Sequence, residues 1–388
     1  MNNRLHVLIL AGGAGRRLWP WSRPGSRKPE LPLIDSKAPL EETIQSALVL
    51  APPEQIHLVA AEGYLTGNYL GQRIVESKGR NTFPAILRGA QEIHALNAES
   101  VVIVLPADHH VVDRDPWRAG LLQTIESLLA DPRSFWIHGT SADPSPEFGC
   151  VTWDQARGGL RFVEKPSEAE VQELLDFTEP ETSTASHFRH CGIFGFGTDF
   201  FLKRMAQRGV TDPDQAPAES IDQILLGSPD FAQDLKFRPL NHRWSDLGDW
   251  RTIRQMRRHL TASVAIREEI KSELPNYPSG PDLILEGVAP LIQGASAQRK
   301  VFLGMPDFEL VLGDQEVELN LVGSESWCED SPIIFNTTDQ SIRVRGMTGG
   351  LIACMKDLLV ICSESALEKG LLAEASRLLD GELLGDLK

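Results

Sequence analysis

Residues 6–20 read HVLILAGGAGRRLWP and are the most informative part of the sequence. The apolar run at 7–10 is typical of a buried strand, and it opens directly into a glycine-rich loop. Glycines let backbone N–H groups wrap around a phosphate chain, and nearby cations neutralise charge that the amides cannot. The cations here are Arg16, Arg17 and, a little further on, Lys28. The stretch therefore predicts a phosphate-binding loop at the end of a strand.

The two commonest phosphate loops do not fit this stretch. A dinucleotide-binding fingerprint needs a third glycine where Leu18 stands, and a Walker loop needs Gly-Lys followed by Ser or Thr. The pattern instead resembles the L-A-G-G-x-G-x-R-L-W-P loop of sugar-phosphate nucleotidyltransferases. The Trp21-Ser22-Arg23 that follows points to the mannose-1-phosphate guanylyltransferase branch. For the glycines alone, an ordinary strand-to-helix turn is the alternative interpretation.

Composition narrows the class of protein. A chain of 388 residues has room for roughly two to three domains, and its 41% hydrophobic and 24% charged residues are ordinary for a globular protein. The formal charge of −16 disfavours general nucleic-acid binding, because no excess of cations exists to displace phosphate counterions. We therefore expect small-molecule partners and no nucleic acid.

Cysteine usage and hydropathy indicate a compartment. The cysteines are odd in number and include no C-x-x-C pair, which argues against a disulfide framework and a zinc site. No apolar run approaches the ~20 residues of a membrane span, and no signal-peptide core follows Met1. We expect a cytoplasmic protein with no membrane partner.

Alternating strand and helix patterns up to about residue 260 predict an open, doubly wound, Rossmann-like α/β sheet. Apolar runs at 56–60 and 101–105 indicate further buried parallel strands, and 41–50 and 84–96 have helical periodicity. Shorter strands at 162–164 and 192–196 suggest an inserted, substrate-facing sheet, which makes the whole sheet mixed. Ligand loops of such sheets lie at the carboxyl ends of the strands.

Three parts are predicted along the chain: a catalytic domain at 1–262, a linker at 263–281 and a β-rich domain at 282–388. The linker is inferred from the Pro-, Gly- and Ser-rich residues 274–281. Short β-type runs separated by turn residues follow, and residues 363–379 suggest a closing helix. The resemblance implies a β-helix-like coil here. We expect this domain to serve packing or self-association, for instance in a homodimer.

Asp108 follows the predicted strand at 101–105 and its Pro106. Taken alone, such an aspartate is usually a helix cap. The segment resembles the family's L-P-A-D-H, in which the aspartate is a metal ligand, and this implies that Asp108 holds Mg²⁺ against the phosphates. The adjacent His109 and His110 point in different directions, so solvated or packed roles are expected for both.

Residues 243–250 read RWSDLGDW and resemble the family's W-S-D-x-G-x-W. That motif supplies a second aspartate to the metal, which is Asp246 in this chain. Asp249 is expected instead to cap the helix that begins near Trp250. Two carboxylates suit Mg²⁺, which keeps several waters when it bridges phosphates.

Residues 79–86 read GRNTFPAI. From the residues alone, Asn81 or Thr82 caps a helix that starts at Pro84. The string also resembles the G-R-N-T-x-P-A that lies beside the base in guanylyl-transferring members. The resemblance implies GTP as the nucleotide, with Arg80, Asn81 and Thr82 near the guanine.

The sugar side is predicted from residues 162–166, FVEKP, which match the family's F-x-E-K-P. Glu164 can accept hydrogen bonds from sugar hydroxyls, and Lys165 can pair with the sugar phosphate. Upstream, Gly149 belongs to a stretch that resembles the family's P-E-T-G-Y-G. His190 and Cys191 replace the Asn and Ser of the family's W-N-S-G-I-F. The histidine at position 190 therefore has two interpretations: either the sugar pocket is altered, or the ring packs below an ordinary mannose pocket.

Together these resemblances imply transfer of GMP from GTP to a sugar 1-phosphate, first of all mannose 1-phosphate, giving GDP-sugar and pyrophosphate with Mg²⁺. The alternatives are another sugar 1-phosphate, such as a heptose, and a non-catalytic regulatory subunit that binds nucleotide sugar. The implied catalytic residues are Arg17, Lys28, Asp108, Lys165 and Asp246, the metal ligands being the two aspartates. The implied nucleotide-binding residues are Leu10, Ala11, Gly12, Gly13, Gly15, Arg16, Arg17, Lys28, Arg80, Asn81, Thr82, Pro106 and Asp108. The implied sugar-phosphate-binding residues are Gly149, Glu164, Lys165, His190 and Cys191.

Overall fold

The computed structural model describes residues 3–13, 15–23, 25–34, 37–65, 67–77, 79–154, 159–178, 185–253, 256, 265–267, 283–287, 291–293, 299–305, 309–313, 333–336, 341–345, 350–354 and 358–377. These residues form two compact units. The first unit contains the described residues of 1–13 and 38–246, and the second contains those of 14–37 and 247–388.

The first unit has an α/β architecture, in which helices pack on both faces of a central β-sheet. Its strands are β1 (Leu5–Leu10), β2 (Ile56–Ala61), β3 (Gln72–Glu76), β4 (Val101–Pro106), β5 (His110–Val111), β6 (Phe135–Ser141), β7 (Cys150–Asp154), β8 (Gly159–Val163), β9 (Ala185–Gly197), β10 (Leu235–Pro239) and β11 (Trp244–Ser245). Its helices are α1 (Pro39–Leu48), α2 (Thr82–Leu96), α3 (Arg114–Ala130), α4 (Glu168–Thr178), α5 (Thr198–Gln207) and α6 (Ile221–Leu226).

The main sheet has the strand order β10-β6-β9-β4-β1-β2-β3, and a β7–β8 hairpin joins it through β9. β4, β1, β2 and β3 run parallel, whereas β9 is antiparallel to both β4 and β6. The predicted doubly wound mixed sheet is therefore confirmed. Strands β5 and β11 form a separate antiparallel ribbon.

Strict alternation of side chains explains why the central strands are mostly apolar, the exceptions being the buried His6 of β1 and His57 of β2, whose Nδ1 and Nε2 lie 3.0 Å apart. Val7 and Ile9 of β1 pack in one hydrophobic cluster, and Leu8 between them packs in the cluster on the opposite face. β4 behaves in the same way, because Ile103 and Val104 belong to different clusters. A parallel strand covered on both faces favours apolar residues at nearly every position, so the apolar runs of the sequence form the centre of the sheet.

The second unit combines residues 14–37 with the C-terminal strands. These strands are β12 (Ala265–Arg267), β13 (Leu283–Gly287), β14 (Leu291–Gln293), β15 (Arg299–Met305), β16 (Glu309–Gly313), β17 (Ile333–Asn336), β18 (Ser341–Arg345), β19 (Leu351–Cys354) and β20 (Leu358–Cys362). They form sheets of order β12-β17-β19-β20-β15-β13 and β14-β16-β18, with parallel pairs such as β13–β15 and β14–β16. Strands β13 to β19 alternate between the two sheets, whereas the pairs β16–β18 and β19–β20 are antiparallel, so the predicted β-type strands are confirmed and the β-helix-like coil stays a prediction.

Two details of the second unit differ from expectation. Three residues of the predicted linker form β12, which pairs with β17, while most of the linker lies outside the described residues. The predicted single closing helix is interrupted: α7 (Glu364–Glu368) ends before Gly370, whose φ is +74°, and residues 371–377 are helical again. A left-handed glycine after a helix is the usual C-terminal stop, which explains the break.

The core of the second unit joins residues far apart in the chain. Trp19, Trp21 and Trp250 are fully buried, the last two rings stack with centroids 6.2 Å apart, and Trp250 Nε1 donates to the Trp19 carbonyl over 3.0 Å. Leu351 and Val360, from β19 and β20, belong to the same cluster. The tryptophans that follow the glycine-rich loop therefore pack with the C-terminal strands.

The length and hydropathy of the observed helices can be compared with those of a membrane-spanning helix. Within the part of the chain that the structure describes, no helix combines the length and apolar character needed to cross a bilayer.

Candidate active site

Parallel strands bring several predicted loops of the first unit to one edge. β1, β3 and β4 point the same way, so residues 11–13, 79–82 and 107–108 all follow carboxyl ends of strands. The Ala107 N–H donates to the Leu10 carbonyl over 3.1 Å and ties two of these loops together. This edge is where open α/β sheets bind ligands.

The glycine loop offers bare backbone at this edge. A Cβ atom placed on Gly12 or Gly13 would meet no atom within 4 Å, and Gly13 has a φ of +108°. Both residues are exposed. Open space beside accessible N–H groups is what a phosphate chain needs, so the geometry is compatible with the predicted role. The chain passes from the first unit to the second at residue 14.

Gly15, in the second unit, is required for close packing. Its φ is +61°, and an added Cβ would lie 2.5 Å from Ser22 Oγ and 2.8 Å from Lys28 Cβ. Lys28 is only 7% exposed, in a short 3₁₀ turn, whereas Arg16 and Arg17 are exposed. The glycine thus lets the chain turn back against Ser22 and Lys28.

We expect Gly15→Ala to destabilise the second unit and weaken binding of a nucleoside triphosphate. Left-handed backbone costs an L-residue roughly 1–2 kcal/mol, and the contact with Lys28 adds to that. Gly63→Ala is the matched control, because Gly63 has a φ of +73° but open space around it. Equal losses in the two variants, measured by urea denaturation and calorimetric titration, would contradict a packing role for Gly15.

The β5–β11 ribbon places Asp108 and Asp246 at the same end. Trp244 pairs with Val111 and Ser245 pairs with His110 in an antiparallel register. Asp246 directly follows that last pair on one strand, and Asp108 lies two residues before it on the other. Both carboxylates are half-buried. Two aspartates 138 positions apart in sequence are thereby held at one end of a short ribbon, next to the end of β4.

The neighbouring histidines are engaged elsewhere. The His109 ring stacks on Trp244 with centroids 4.4 Å apart. His110 Nδ1 lies 3.1 Å from Glu42 Oε2, and Arg114 Nη2 lies 2.8 Å from Glu42 Oε1. Burial favours a higher pKa for Glu42, but His110 and Arg114 outweigh it and hold that pKa below its usual range. His109 and His110 therefore have packing and pairing roles.

The donor set at the ribbon fits Mg²⁺. Mg²⁺ takes one or two carboxylates and completes its octahedron with waters and substrate phosphates. Asp108 and Asp246 would supply two such carboxylates, and the glycine-rich loop follows the neighbouring strand β1. Among the described residues no group of three or more His, Cys, Asp or Glu side chains forms a metal cage.

The predicted base-recognition segment is fixed to residues 214–221. Asn81, with a φ of +87°, caps α2 by accepting from the Thr82 N–H over 2.8 Å. The Arg80 guanidinium donates to the carbonyls of Asp214 and Ala216. Thr82 Oγ1 accepts from the N–H of Ile221 over 2.9 Å. The side chains of Arg80 and Thr82 thus hold the segment in place.

The predicted sugar residues Gly149, Glu164 and His190 come together. A Cβ atom added to Gly149 would lie 2.8 Å from Glu164 Oε2. The backbone N–H of His190 donates to the Gly149 carbonyl over 2.8 Å. Lys165 follows with a φ of +45°. Burial, together with the nearby Asp222, raises the pKa of Glu164, while Lys165 and His190 act in the opposite direction.

Two residues of the predicted sugar set are packed inside. His190 is 8% exposed; its Nδ1 lies 2.9 Å from the His138 carbonyl and its Nε2 lies 2.7 Å from Asp222 Oδ1. Cys191 has no exposed surface, and burial raises its pKa to about 12. Both side chains are therefore buried among protein atoms, and the two interpretations of His190 given above stay predictions. Sequence analysis missed Asp222, whose only signal is that it is an acidic residue in the first turn of α6.

Backbone strain marks the same segments. Within the described residues, the non-glycine residues with left-handed φ are Asn81, Lys165 and Leu247. Each lies in a motif that sequence analysis selected, Leu247 directly after Asp246. Such backbone conformations cost of order 1–3 kcal/mol each and cluster at functional sites. Their positions are therefore consistent with a functional role for these segments.

Comparison with known proteins identifies the family. Xanthan biosynthesis protein XanB of Xanthomonas campestris pv. campestris is 27% identical over 282 residues, and mannose-1-phosphate guanylyltransferase of Escherichia coli K12 is 25% identical over 302. These matches cover 63% and 66% of this chain, but only 58% and 60% of the relatives' lengths.

A solved structure shares the fold over nearly the whole chain. It is described as mannose-1-phosphate geranyltransferase from Thermus thermophilus, with a TM-score of 0.62, 21% identity and coverage of 97% of this chain and 99% of that one. Residues 6–263 match the nucleotidyl transferase family. That span exceeds half of the sequence and contains the glycine loop and both aspartates. The chain therefore belongs to the nucleotidyl transferase family.

Proposed function

We propose that the protein transfers GMP from GTP to a sugar 1-phosphate, with mannose 1-phosphate as the first substrate, and releases pyrophosphate. The observation that carries this proposal is the shared edge of β1, β3 and β4. Bare glycine backbone, the base-recognition segment and Asp108 all follow these strands. Relatives named mannose-1-phosphate guanylyltransferase support the choice of nucleotide and sugar.

The reaction needs little from the protein beyond positioning and charge. An anionic oxygen of the sugar phosphate attacks the α-phosphorus of GTP, a new P–O bond forms, and the bond to the β-phosphate breaks. Pyrophosphate leaves with that electron pair, and no general base is required because the nucleophile is already ionised. Catalysis therefore rests on alignment and on stabilising charge in the transition state.

Each proposed catalytic residue has a place in this scheme. The N–H groups of Gly12 and Gly13 cradle the triphosphate, and Arg17 and Lys28 steady the leaving pyrophosphate. Lys165 holds the attacking phosphate. Asp108 and Asp246 would hold Mg²⁺, which when bound withdraws charge from the α-phosphate and the nucleophile.

Glu164 is the proposed acceptor for sugar hydroxyls. Its carboxylate packs over Gly149, and its backbone leads directly into Lys165. The two ring nitrogens of His190 lie 2.9 Å and 2.7 Å from protein atoms, which supports a sugar contact made by Glu164 rather than by this ring. A sugar related to mannose, such as a heptose, remains the second candidate, because an acid that accepts from hydroxyls suits both.

We expect GTP to be preferred over ATP, UTP and dTTP by about a hundredfold or more in kcat/KM, since a site built for a guanine edge leaves polar groups unpaired with other bases. Pyrophosphate release at saturating mannose 1-phosphate measures this. Parallel assays with glucose, fucose and heptose 1-phosphates identify the sugar. Activity with ATP or dTTP equal to that with GTP would overturn the guanylyl assignment.

A further inference from the structure

The base-recognition segment, residues 79–82, contains a residue in a strained conformation. Asn81 combines a φ of +87° with a ψ of 179°, a backbone region that is almost confined to glycine. Such a conformation persists only where the surrounding structure fixes it. The flanking residues Arg80 and Thr82 both bond to one distant stretch, residues 211–221, which lies 134–139 positions further along the chain. The conformation of Asn81 therefore depends on the 211–221 segment.

Two further hydrogen bonds fasten the 211–221 segment along α2. The Phe83 N–H donates to the Glu219 carbonyl over 3.2 Å, and Gln91 Nε2 donates to the Thr211 carbonyl over 2.6 Å. Both acceptors are backbone carbonyls of the 211–221 segment. These contacts therefore require a fixed path of its backbone rather than a particular side chain at either position.

Asp214 of this segment contributes its side chain as well. Its Oδ1 accepts a hydrogen bond from Ser77 Oγ over 2.7 Å, and its Oδ2 accepts one from Arg88 Nη2 over 2.9 Å. Ser77 directly follows β3, and Arg88 lies on α2. One carboxylate thus joins the end of the strand before the base-recognition segment to the helix after it.

The bonds made by Arg80 and Thr82 give these side chains an orienting role. Recognition of a base edge requires donors and acceptors that are held within about 0.5 Å of their productive positions. The 211–221 segment supplies that support from one side, and the carboxylate of Asp214 fixes the segment itself. A change at Asp214 should therefore reach the base without any contact between Asp214 and the nucleotide.

We propose that Asp214 is a positioning residue for recognition of the nucleotide base. Its carboxylate fixes the 211–221 segment, and that segment, through Arg80 and Thr82, holds Asn81 and the adjoining backbone in place for the base. The identity of the base as guanine rests on the proposed function, whereas the tethering of the two segments does not.

Hydrogen exchange of the full-length protein, followed by mass spectrometry, tests the tethering. The amides of Phe83 and Ile221 donate across the two segments, so their exchange reports directly on the contact. In Asp214→Ala we expect peptides spanning 79–88 and 217–226 to exchange about tenfold faster, because local opening becomes easier when two hydrogen bonds to a charged group are lost. Exchange equal to that of the wild type would overturn the inference.

Two variants control this experiment. Asp199→Ala removes an equally exposed carboxylate, 49% against 50% for Asp214, that pairs with Lys203 within α5. It should leave the exchange of both peptides unchanged. Asp214→Asn keeps an acceptor for Ser77 but loses the charge, so its exchange should lie between that of the wild type and that of Asp214→Ala.

Steady-state kinetics test the role in base recognition. In Asp214→Ala we expect the KM for GTP to rise about tenfold and the preference for GTP over ATP in kcat/KM to narrow by a similar factor, while the KM for the sugar 1-phosphate changes little. A purely structural defect would leave the ratio between the two nucleotides unchanged. Faster exchange in Asp214→Ala without any change in this ratio would contradict the positioning role.

The outcomes separate this inference from the proposed function. If another nucleoside triphosphate is the best substrate, the guanylyl assignment fails, and a narrowed preference for that nucleotide in Asp214→Ala would still support the positioning role. If no sugar 1-phosphate is a substrate, calorimetric titration with GTP and with ATP makes the same comparison. Equal selectivity of wild type and Asp214→Ala in that titration would overturn the inference.

Discussion

Asp108→Asn and Asp246→Asn should each lower turnover by about a hundredfold or more, equivalent to about 2.7 kcal/mol of transition-state stabilisation. The β5–β11 ribbon holds both carboxylates at one end, so each variant removes one of two proposed Mg²⁺ ligands. Asparagine keeps the size of the side chain and removes the charge that the metal needs. Initial rates of pyrophosphate release across a range of Mg²⁺ concentrations measure the effect.

Asp131→Asn is the control for this experiment. Asp131 is an exposed residue that directly follows α3, and its carboxylate accepts a hydrogen bond from Arg133 Nε. Its replacement should leave turnover unchanged. Mg²⁺-dependent binding of GTP, followed by calorimetry, gives a second readout and should weaken in both site variants. Near-normal turnover of both variants at low Mg²⁺ would contradict the assignment.

Trp250→Ala should lower the free energy of unfolding of the second unit by about 3–5 kcal/mol. The side chain is fully buried, stacks on Trp21 and donates to the Trp19 carbonyl. Its removal leaves a large cavity and deletes the hydrogen bond to the Trp19 carbonyl, in a core shared by described residues of 14–37 and the C-terminal strands. Urea denaturation followed by circular dichroism measures the loss.

Leu96→Ala is the matched control, because Leu96 at the end of α2 is 67% exposed and its truncation should cost less than about 0.5 kcal/mol. Trp250→Phe should fall between the two, since it keeps an aromatic ring but loses the hydrogen bond. A loss below about 1 kcal/mol in Trp250→Ala would show that Trp250 is not central to this core.

Local pattern predicted the centre of the fold well. The apolar runs at 7–10, 56–60 and 101–105 became β1, β2 and β4 with ends shifted by at most two residues, because a doubly covered parallel strand has an unmistakable composition. α2 begins at Thr82 rather than at Pro84, since Asn81 is the cap. Strand β3 has no such run; as an edge strand it exposes residues such as Val75.

Long-range packing lay beyond the sequence. Nothing local indicates that Trp19 and Trp21 share a core with Leu351 and Val360, because hydrophobic contact carries no sequence label for its partner. The same holds for Arg80, whose guanidinium donates a hydrogen bond to the carbonyl of Ala216, 136 positions away in the sequence. His190 was selected as a departure from a family motif, but its partner Asp222 became visible only in the folded chain.

Guanylyl transfer can be followed with GTP that carries a radioactive α-phosphate. This GTP is incubated with mannose 1-phosphate, Mg²⁺ and the protein, and the position of the label is determined. Guanylyl transfer predicts that the label appears in a GDP-sugar, identified by mass spectrometry, with one unlabelled pyrophosphate released per molecule formed. The same label should stay in GTP when the sugar phosphate is omitted. Label recovered only as GMP, GDP or unreacted GTP, with every sugar 1-phosphate tried, would contradict the account.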